Sequence, residues 1–76
     1  MSNKMILAKN NRGRVAIILV GSREFVRERI EMINVMMDLP YSLKQPNKTD
    51  ERCIVEFCHG VSIEEVSSNI KFVMAA

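Results

Sequence analysis

The chain has 76 residues, of which 47% are hydrophobic and 26% are charged, and its formal net charge at pH 7 is +2. This length fits one small domain, residues 1–76, and the apolar content excludes an intrinsically disordered chain. The apolar runs are too short to cross a bilayer, and the first residues lack the core of a secretory signal. We therefore expect a cytoplasmic protein without membrane contact, in which Cys53 and Cys58 are free thiols.

The beginning of the chain predicts a β-hairpin. Residues 4–8 form a short apolar strand, and the clearest β pattern follows at residues 14–20, where Ile, Leu and Val stand side by side. Between them, residues 9–13 are rich in Asn and Gly, which favour a turn. A hairpin is the simplest arrangement of the two strands.

A helix is predicted over residues 23–38. Ser22 is suited to cap its first turn, and Leu39 and Pro40 end it because the residue before a proline is pushed out of helical conformation. Its apolar stripe recurs at helical spacing and consists of Val26, Ile30, Ile33 and Met37. This stripe is expected to pack against the sheet.

The second half of the chain predicts the same order of elements. Residues 41–44 form a weak strand, residues 45–51 an exposed polar loop and residues 52–58 a further strand. Ser62 and Glu65 have the spacing of a capping box at the start of a second helix. The buried stripe of that helix is predicted to consist of Ile63, Val66, Ile70 and Val73.

Two strand-strand-helix units, residues 4–38 and 41–75, therefore follow each other, and they align as a pseudo-duplication with matching Gly and Ser residues before each helix. They predict an α+β two-layer sandwich with an antiparallel sheet and both helices on one face. The element order is that of a permuted ferredoxin-like fold. The sheet has four strands, or three if residues 41–44 form a loop.

Side-chain alternation assigns two faces to the strands at residues 14–20 and 52–58. The residues expected to face the helices are Val15, Ile17, Leu19, Cys53, Val55 and Phe57. The residues singled out on the opposite face are Ala16, Ile18, Val20, Ile54 and Glu56. Such a face is normally more polar. Either long neighbouring side chains shield it, or a second chain covers it, in which case Glu56 needs a cation from that chain.

A second candidate surface lies on the first helix. Phe25, Met32 and Met36 fall on one flank of that helix, beside its main stripe. They are expected to widen the core between the helices, in which Phe72 occupies the position corresponding to Met32. Alternatively, they form an adaptable docking surface, for which methionine is well suited.

Residues capable of catalysis do not form a recognisable set. Cys58 and His59 are neighbours, but successive strand residues point to opposite faces, so the imidazole is badly placed to activate the thiol. With Cys53 they are also one ligand short of a zinc site. We therefore expect buried cysteines, no metal, no cofactor and no enzymatic activity.

We interpret the chain as a small interaction or regulatory protein that binds and modulates a macromolecular partner, as a homodimer. The sheet face and the flank of the first helix are the candidate partner surfaces. The alternative is a nucleic-acid-binding regulator that uses Lys9, Arg12, Arg14, Arg23 and Arg27. No aromatic residue is evidently placed for base stacking, which disfavours that alternative.

Overall fold

The computed structural model describes residues 3–44 and 51–75, with side chains described as far as residue 70. In chain order the elements are β1 (Lys4–Lys9), β2 (Val15–Val20), α1 (Arg23–Met36), β3 (Tyr41–Lys44), β4 (Arg52–Phe57) and α2 (Ile63–Ala75). Within these ranges the strands form one antiparallel sheet in the order β1-β2-β4-β3. The α+β class is confirmed, and the four-stranded alternative is correct because β3 pairs with β4.

Both helices pack on the same face of the sheet and share one hydrophobic core with it. Val26 and Ile33 of α1 and Val66 and Ile70 of α2 belong to this core. The sheet contributes the six side chains assigned from alternation, Val15, Ile17, Leu19, Cys53, Val55 and Phe57, each at most 1% exposed. That face assignment is confirmed. The side chains of Phe72 and Val73 and the loop residues 45–50 lie outside the described residues.

Serine side chains start both helices. The Ser22 hydroxyl accepts a hydrogen bond from the Phe25 N–H at 3.2 Å, and the Ser62 hydroxyl accepts one from the Glu65 N–H at 3.2 Å. These bonds satisfy N–H groups that have no partner within a first helical turn. At its other end α1 stops at Met36, two residues before the predicted boundary, because Met37 is extended with φ −108° and ψ 114°.

Asn10 organises the turn that joins β1 to β2. Its side-chain Oδ1 accepts hydrogen bonds from the N–H of Arg12 at 2.9 Å and the N–H of Arg14 at 3.0 Å. Its carbonyl accepts a third from the N–H of Gly13, which has φ +75°. Glycine suits this position because side chains disfavour positive φ. The turn signal in the sequence is therefore explained by one asparagine and one glycine.

Gly21 joins β2 to α1 and is buried in a tight junction. Its φ is +154°, and its N–H donates to the Glu51 carbonyl at 3.0 Å. A Cβ at this position would overlap the side chain of Asn3, whose Oδ1 accepts a hydrogen bond from the Ser22 N–H at 3.1 Å. The junction therefore excludes a side chain.

We expect Gly21→Ala to lower the free energy of unfolding by about 1–3 kcal/mol, measured by urea denaturation. The positive φ is strained for alanine, and Asn3 has to move and release Ser22. Gly13→Ala is the matched control, because no atom beyond the neighbouring residues lies within 4 Å of a Cβ built at Gly13, and the positive φ is the unfavourable feature there. Equal destabilisation by the two substitutions would contradict the close packing of Asn3 on Gly21.

Candidate functional site

The sheet face opposite the helices, called the open face below, carries three rows of cross-strand neighbours. The first row is Lys4, Val20 and Arg52. The second row is Ile6, Ile18, Ile54 and Lys44. The third row is Ala8, Ala16, Glu56 and Ser42. The centre of the open face is aliphatic, and cations lie at the ends of its first two rows.

The sheet register brings together the five residues that the sequence assigned to this face. Ile18, Val20 and Ile54 are half-buried, whereas Ala16 is 5% exposed. Ile6, which extends the line of Ile18 and Ile54 across β1, is 44% exposed. We call Ile6, Ile18 and Ile54 the aliphatic row.

A shallow depression of about 150 Å³ lies beside the aliphatic row. Its floor includes the small side chains of Ala8 and Ala16, and Lys44 and Glu56 also line it. The depression exists because alanines on two neighbouring strands stand next to larger residues. It offers room for an apolar group beside a charged one.

Glu56 is the centre of a polar cluster at one edge of the depression. Its Oε1 lies 3.1 Å from Arg14 Nη1, and its Oε2 accepts hydrogen bonds from Asn10 Nδ2 at 2.7 Å and from Lys44 Nζ at 3.2 Å. We call these four residues the carboxylate cluster. The cluster joins β4 to the β1–β2 turn on one side and to β3 on the other.

Glu56 obtains its charged partners within its own chain. Glu56 is only 6% exposed, so it needs partners, and we expected a cation from a second chain if such a chain covers the face. The structure supplies Arg14 and Lys44 from the same chain. Ala16 lies directly opposite Glu56 and is buried, as expected if long neighbouring side chains shield this strand. The aliphatic row extends beyond this shielded part.

Glu56 has a lowered pKa. Desolvation raises the pKa, but the hydrogen bonds from Lys44 and Arg14 and the positive charges of both side chains outweigh it. Glu56 is therefore ionised at neutral pH and holds its proton only in acid. A general acid or base needs a pKa near the operating pH, so this carboxylate is suited to a structural role rather than to proton transfer.

The flank of α1 splits into two parts. Phe25 and Met32 pack against the core, and the Arg29 guanidinium lies 5.1 Å from the Phe25 ring centroid while its Nη1 donates to Met32 Sδ at 3.1 Å. Met36 is 46% exposed, and its neighbour Val35 is 76% exposed. Two of the three flank residues thus widen the core, whereas Met36 remains at the surface.

The five cations singled out for nucleic-acid binding lie at two ends of β2. Lys9 and Arg12 are exposed in and beside the turn that precedes β2, and Arg14 binds Glu56. Arg23 and Arg27 are exposed on α1, which follows the other end of β2. A strand of this length separates the groups by roughly 20 Å. The structure therefore does not join all five in one patch.

The cysteines differ in exposure. Cys53 is buried and Cys58 is exposed, and neither forms a disulfide. The expectation of two buried cysteines was therefore wrong for Cys58, because β4 ends at Phe57 and Cys58 begins a turn, with its N–H bonded to the Pro40 carbonyl. In the described ranges, no three His, Cys, Asp or Glu side chains are grouped to hold a metal ion. The described helices are also too short or too polar to cross a membrane.

Sequence reasoning missed several open-face residues. Ile6, Lys4 and Arg52 were not singled out, although alternation along the predicted hairpin would have placed Ile6 beside Ile18. Asn10 and Lys44 had no such signal, because their bonds to Glu56 depend on how distant segments pair. The hydrogen bond between Asn10 and Glu56 spans 46 positions in the chain.

Comparisons with known proteins do not assign the chain to a family. No family model, curated protein or solved structure matches it.

We expect Glu56→Gln to be less stable than the wild type at neutral pH, by an amount that shrinks in acid. Because folding lowers the pKa of Glu56, its contribution is fully present above the pKa of an unfolded glutamate, about 4.3, and is lost as the pH falls through the folded pKa. Urea denaturation of both proteins between about pH 6 and pH 3 measures the difference.

Lys44→Gln serves as the control background for this experiment. Removing one of the two cations should reduce the pH-dependent effect of Glu56→Gln. In that background, protonation of Glu56 disrupts an ionic interaction with one cation instead of two. An effect of Glu56→Gln that does not vary with pH in the wild-type background would show that the ionic contacts of Glu56 do not stabilise the fold.

Proposed function

We propose that this protein is a non-enzymatic interaction protein that binds and modulates a macromolecular partner through the open face. The observation that carries the proposal is the aliphatic row, which faces away from the core with Ile6 44% exposed. Aliphatic patches bordered by polar groups are typical of binding surfaces. The aliphatic row lies on a regular four-stranded sheet.

The carboxylate cluster supports the same proposal. Glu56 binds both Arg14 and Lys44, and Lys44 and Glu56 line the depression. Long side chains that are already ordered lose less conformational entropy when a partner binds. Arg14 and Lys44, both bound to Glu56, therefore form part of a prearranged border of the aliphatic row. A catalytic role would instead require a carboxylate that is available to react.

A homodimer is one form of this proposal, in which a second copy covers the open face. The exposed aliphatic row supports it, since burying apolar area is the main driving force of association. Glu56 does not require a cation from the second copy, because the chain supplies Arg14 and Lys44 itself. The self-association arm of the experiment below tests this form.

We also propose that the two strand-strand-helix units, residues 4–38 and 41–75, arose by duplication and form a permuted ferredoxin-like arrangement. The sequence alignment of the units equates Ile17 with Val55, and these residues are direct cross-strand partners. A two-fold relation between the units predicts such a pairing.

We further propose a cytoplasmic location, because the exposed free thiol of Cys58 suits a reducing compartment.

The variant Ile18→Thr/Ile54→Thr tests the binding proposal. We expect it to fold and to lose about tenfold or more in partner affinity, because threonine keeps the β-branched shape but removes apolar surface. Proteins retained from a cell extract by the wild type are purified and titrated against both forms by calorimetry. If the partner is a second copy, the variant shifts sedimentation equilibrium towards monomer.

Val35→Thr is the matched control, since Val35 is an exposed β-branched residue on α1, away from the open face. It should leave partner affinity and self-association unchanged. Binding that survives Ile18→Thr/Ile54→Thr, or that Val35→Thr weakens as much, would contradict a role for the open face.

A nucleic-acid-binding regulator is the second candidate function. The exposed side chains of Lys9 and Arg12 favour it, because they project from a turn next to Arg14 at one end of the sheet. Such a cluster makes phosphate contacts without reading sequence. Arg23 and Arg27 would then contact a different part of the nucleic acid.

For this candidate we expect Lys9→Ala/Arg12→Ala to weaken binding to single-stranded or duplex DNA and to reduce its salt dependence by up to about two phosphate contacts. Fluorescence anisotropy at several salt concentrations measures both quantities. Arg14 is left intact so that the carboxylate cluster is not disturbed. Wild-type protein that shows no salt-dependent DNA binding would exclude the candidate.

A further inference from the structure

We propose that the open face binds an acidic amphipathic helix of a different protein. The inference rests on the proposed function and adds the chemistry of the partner to it. Three features of the open face carry it: the separation of charge between the two layers, the position of the cations around the aliphatic row, and the depression at the alanines.

Charge is divided unequally between the sheet and the helices. The cations of the strands and of the turn between β1 and β2 are Lys4, Lys9, Arg12, Arg14, Lys44 and Arg52, and Glu56 is the one carboxylate of these fully described segments. By contrast, α1 carries three acidic and three arginine residues, and the first turn of α2 is acidic. Among the residues that the structure describes, the positive charge is therefore concentrated on the strands and the turn between β1 and β2.

The open-face cations lie around the aliphatic row, and two of them lie on opposite sides of β2. Lys4 and Arg52 lie in the neighbouring row, on either side of Val20. Lys44 ends the row itself, and Arg14 lies beyond the third row. Glu56 balances one positive charge, so the border keeps a net positive charge. A complementary ligand has an apolar stripe with carboxylates along both sides.

The depression provides a place for an anchoring side chain. Ala8 and Ala16 leave space next to Ile18 and Ile54. The exposed lining of this space is largely apolar, and its polar residues are Lys9, Asn10, Lys44 and Glu56. A leucine or phenylalanine of the partner would replace water there. Buried apolar anchors of this type contribute much of the binding energy of protein interfaces.

A helix matches the shape of the open face. Ala16, Ile18 and Val20 point outwards along β2, cross the aliphatic row at Ile18 and extend over roughly 13 Å. Lys4 on β1 and Arg52 on β4 lie on either side of this line. About three turns of helix cover this length and place a stripe of apolar residues over it. The chain already packs its own helices on the opposite face of the same sheet.

A second copy fits the open face less well than an acidic helix. When two identical faces meet about a two-fold axis, each brings the same cationic border, and Glu56 is already bound to Arg14 and Lys44. Like charges brought together at an interface oppose association. Charge thus disfavours the face-to-face homodimer and favours an acidic partner.

Nucleic acid also fits the open face less well. Sheets that bind single strands stack bases on aromatic side chains, and the three rows of the open face contain none. Tyr41 instead donates a hydrogen bond to Asn34 of α1 and packs against Phe57 with ring centroids 6.3 Å apart. The centre of the open face is aliphatic, which suits a protein ligand.

The test is a titration of isotope-labelled protein, followed by NMR, with three probes. The first is a helical peptide with a leucine stripe flanked by glutamates, the second is the same peptide with lysines for glutamates, and the third is single-stranded DNA of matching charge. We expect the acidic peptide to shift the amide signals of the three open-face rows. It should bind about tenfold or more tightly than the lysine peptide and weaken with salt.

Charge-reversal variants make the test specific. Lys4→Glu/Arg52→Glu should weaken the acidic peptide about tenfold and strengthen the lysine peptide. Arg23→Glu/Arg27→Glu is the matched control, because it changes the net charge equally but on α1, and it should have little effect. Ile18→Thr/Ile54→Thr should abolish binding of the acidic peptide.

The inference is wrong if the lysine peptide binds as tightly as the acidic one, if DNA binds more tightly than either, or if both charge-reversal variants have the same effect. It is also wrong if self-association buries the open face and excludes the peptides. Equal binding of both peptides that Ile18→Thr/Ile54→Thr abolishes would refute the acidic partner but support binding at this face. If no probe binds, the acidic-helix inference fails, and the extract experiment decides the broader proposal separately.

Discussion

The contacts of Glu56 are the interaction on which the open face depends. A carboxylate that is almost fully covered requires compensating partners, and this one has Arg14, Lys44 and the Asn10 amide. These partners come from the turn before β2 and from the edge strand β3, so one anion fixes side chains on both sides of β4. The positions of Arg14 and Lys44, two cations of the border, follow from this arrangement.

The two faces of the sheet combine the same strands with different chemistry. Towards the helices, the strands present large apolar side chains that are fully buried, and these account for the packing of α1 and α2. Away from the helices, the same strands present isoleucines and alanines bordered by cations. A sheet with no further role would tolerate more polar residues there. This difference is the physical basis of the proposed binding function.

Local patterns were sufficient to predict most of the fold. The serine caps of both helices, the stripe of α1 and the inward face of β2 and β4 follow from nearest-neighbour chemistry, and the structure contains each of them. The helix end at Met36 and the exposure of Cys58 were predicted less well, because they depend on where the chain turns away from its element. Ends of elements are set by tertiary contacts as much as by local sequence.

The candidate site was predictable only in part. Alternation identified Ala16, Ile18, Ile54 and Glu56, but it gave no way to know which cations reach the carboxylate. Lys44 and Asn10 approach Glu56 because β3 and the turn lie on either side of β4, which is a property of strand order. The five predicted cations are divided into two groups because the length of β2 separates those in and beside the preceding turn from those on α1.

The two ends of the Asn10 side chain bind partners at very different separations along the chain. The side-chain oxygen Oδ1 of Asn10 accepts hydrogen bonds from N–H groups two and four residues away, and these bonds require only that the turn closes. Its amide nitrogen binds a residue 46 positions later, which requires β4 to be in place. Closing a long loop is slow compared with closing a turn. We therefore expect the turn contacts of Asn10 to form before β4 docks, and its amide nitrogen to gain Glu56 as a partner only when β4 joins the sheet.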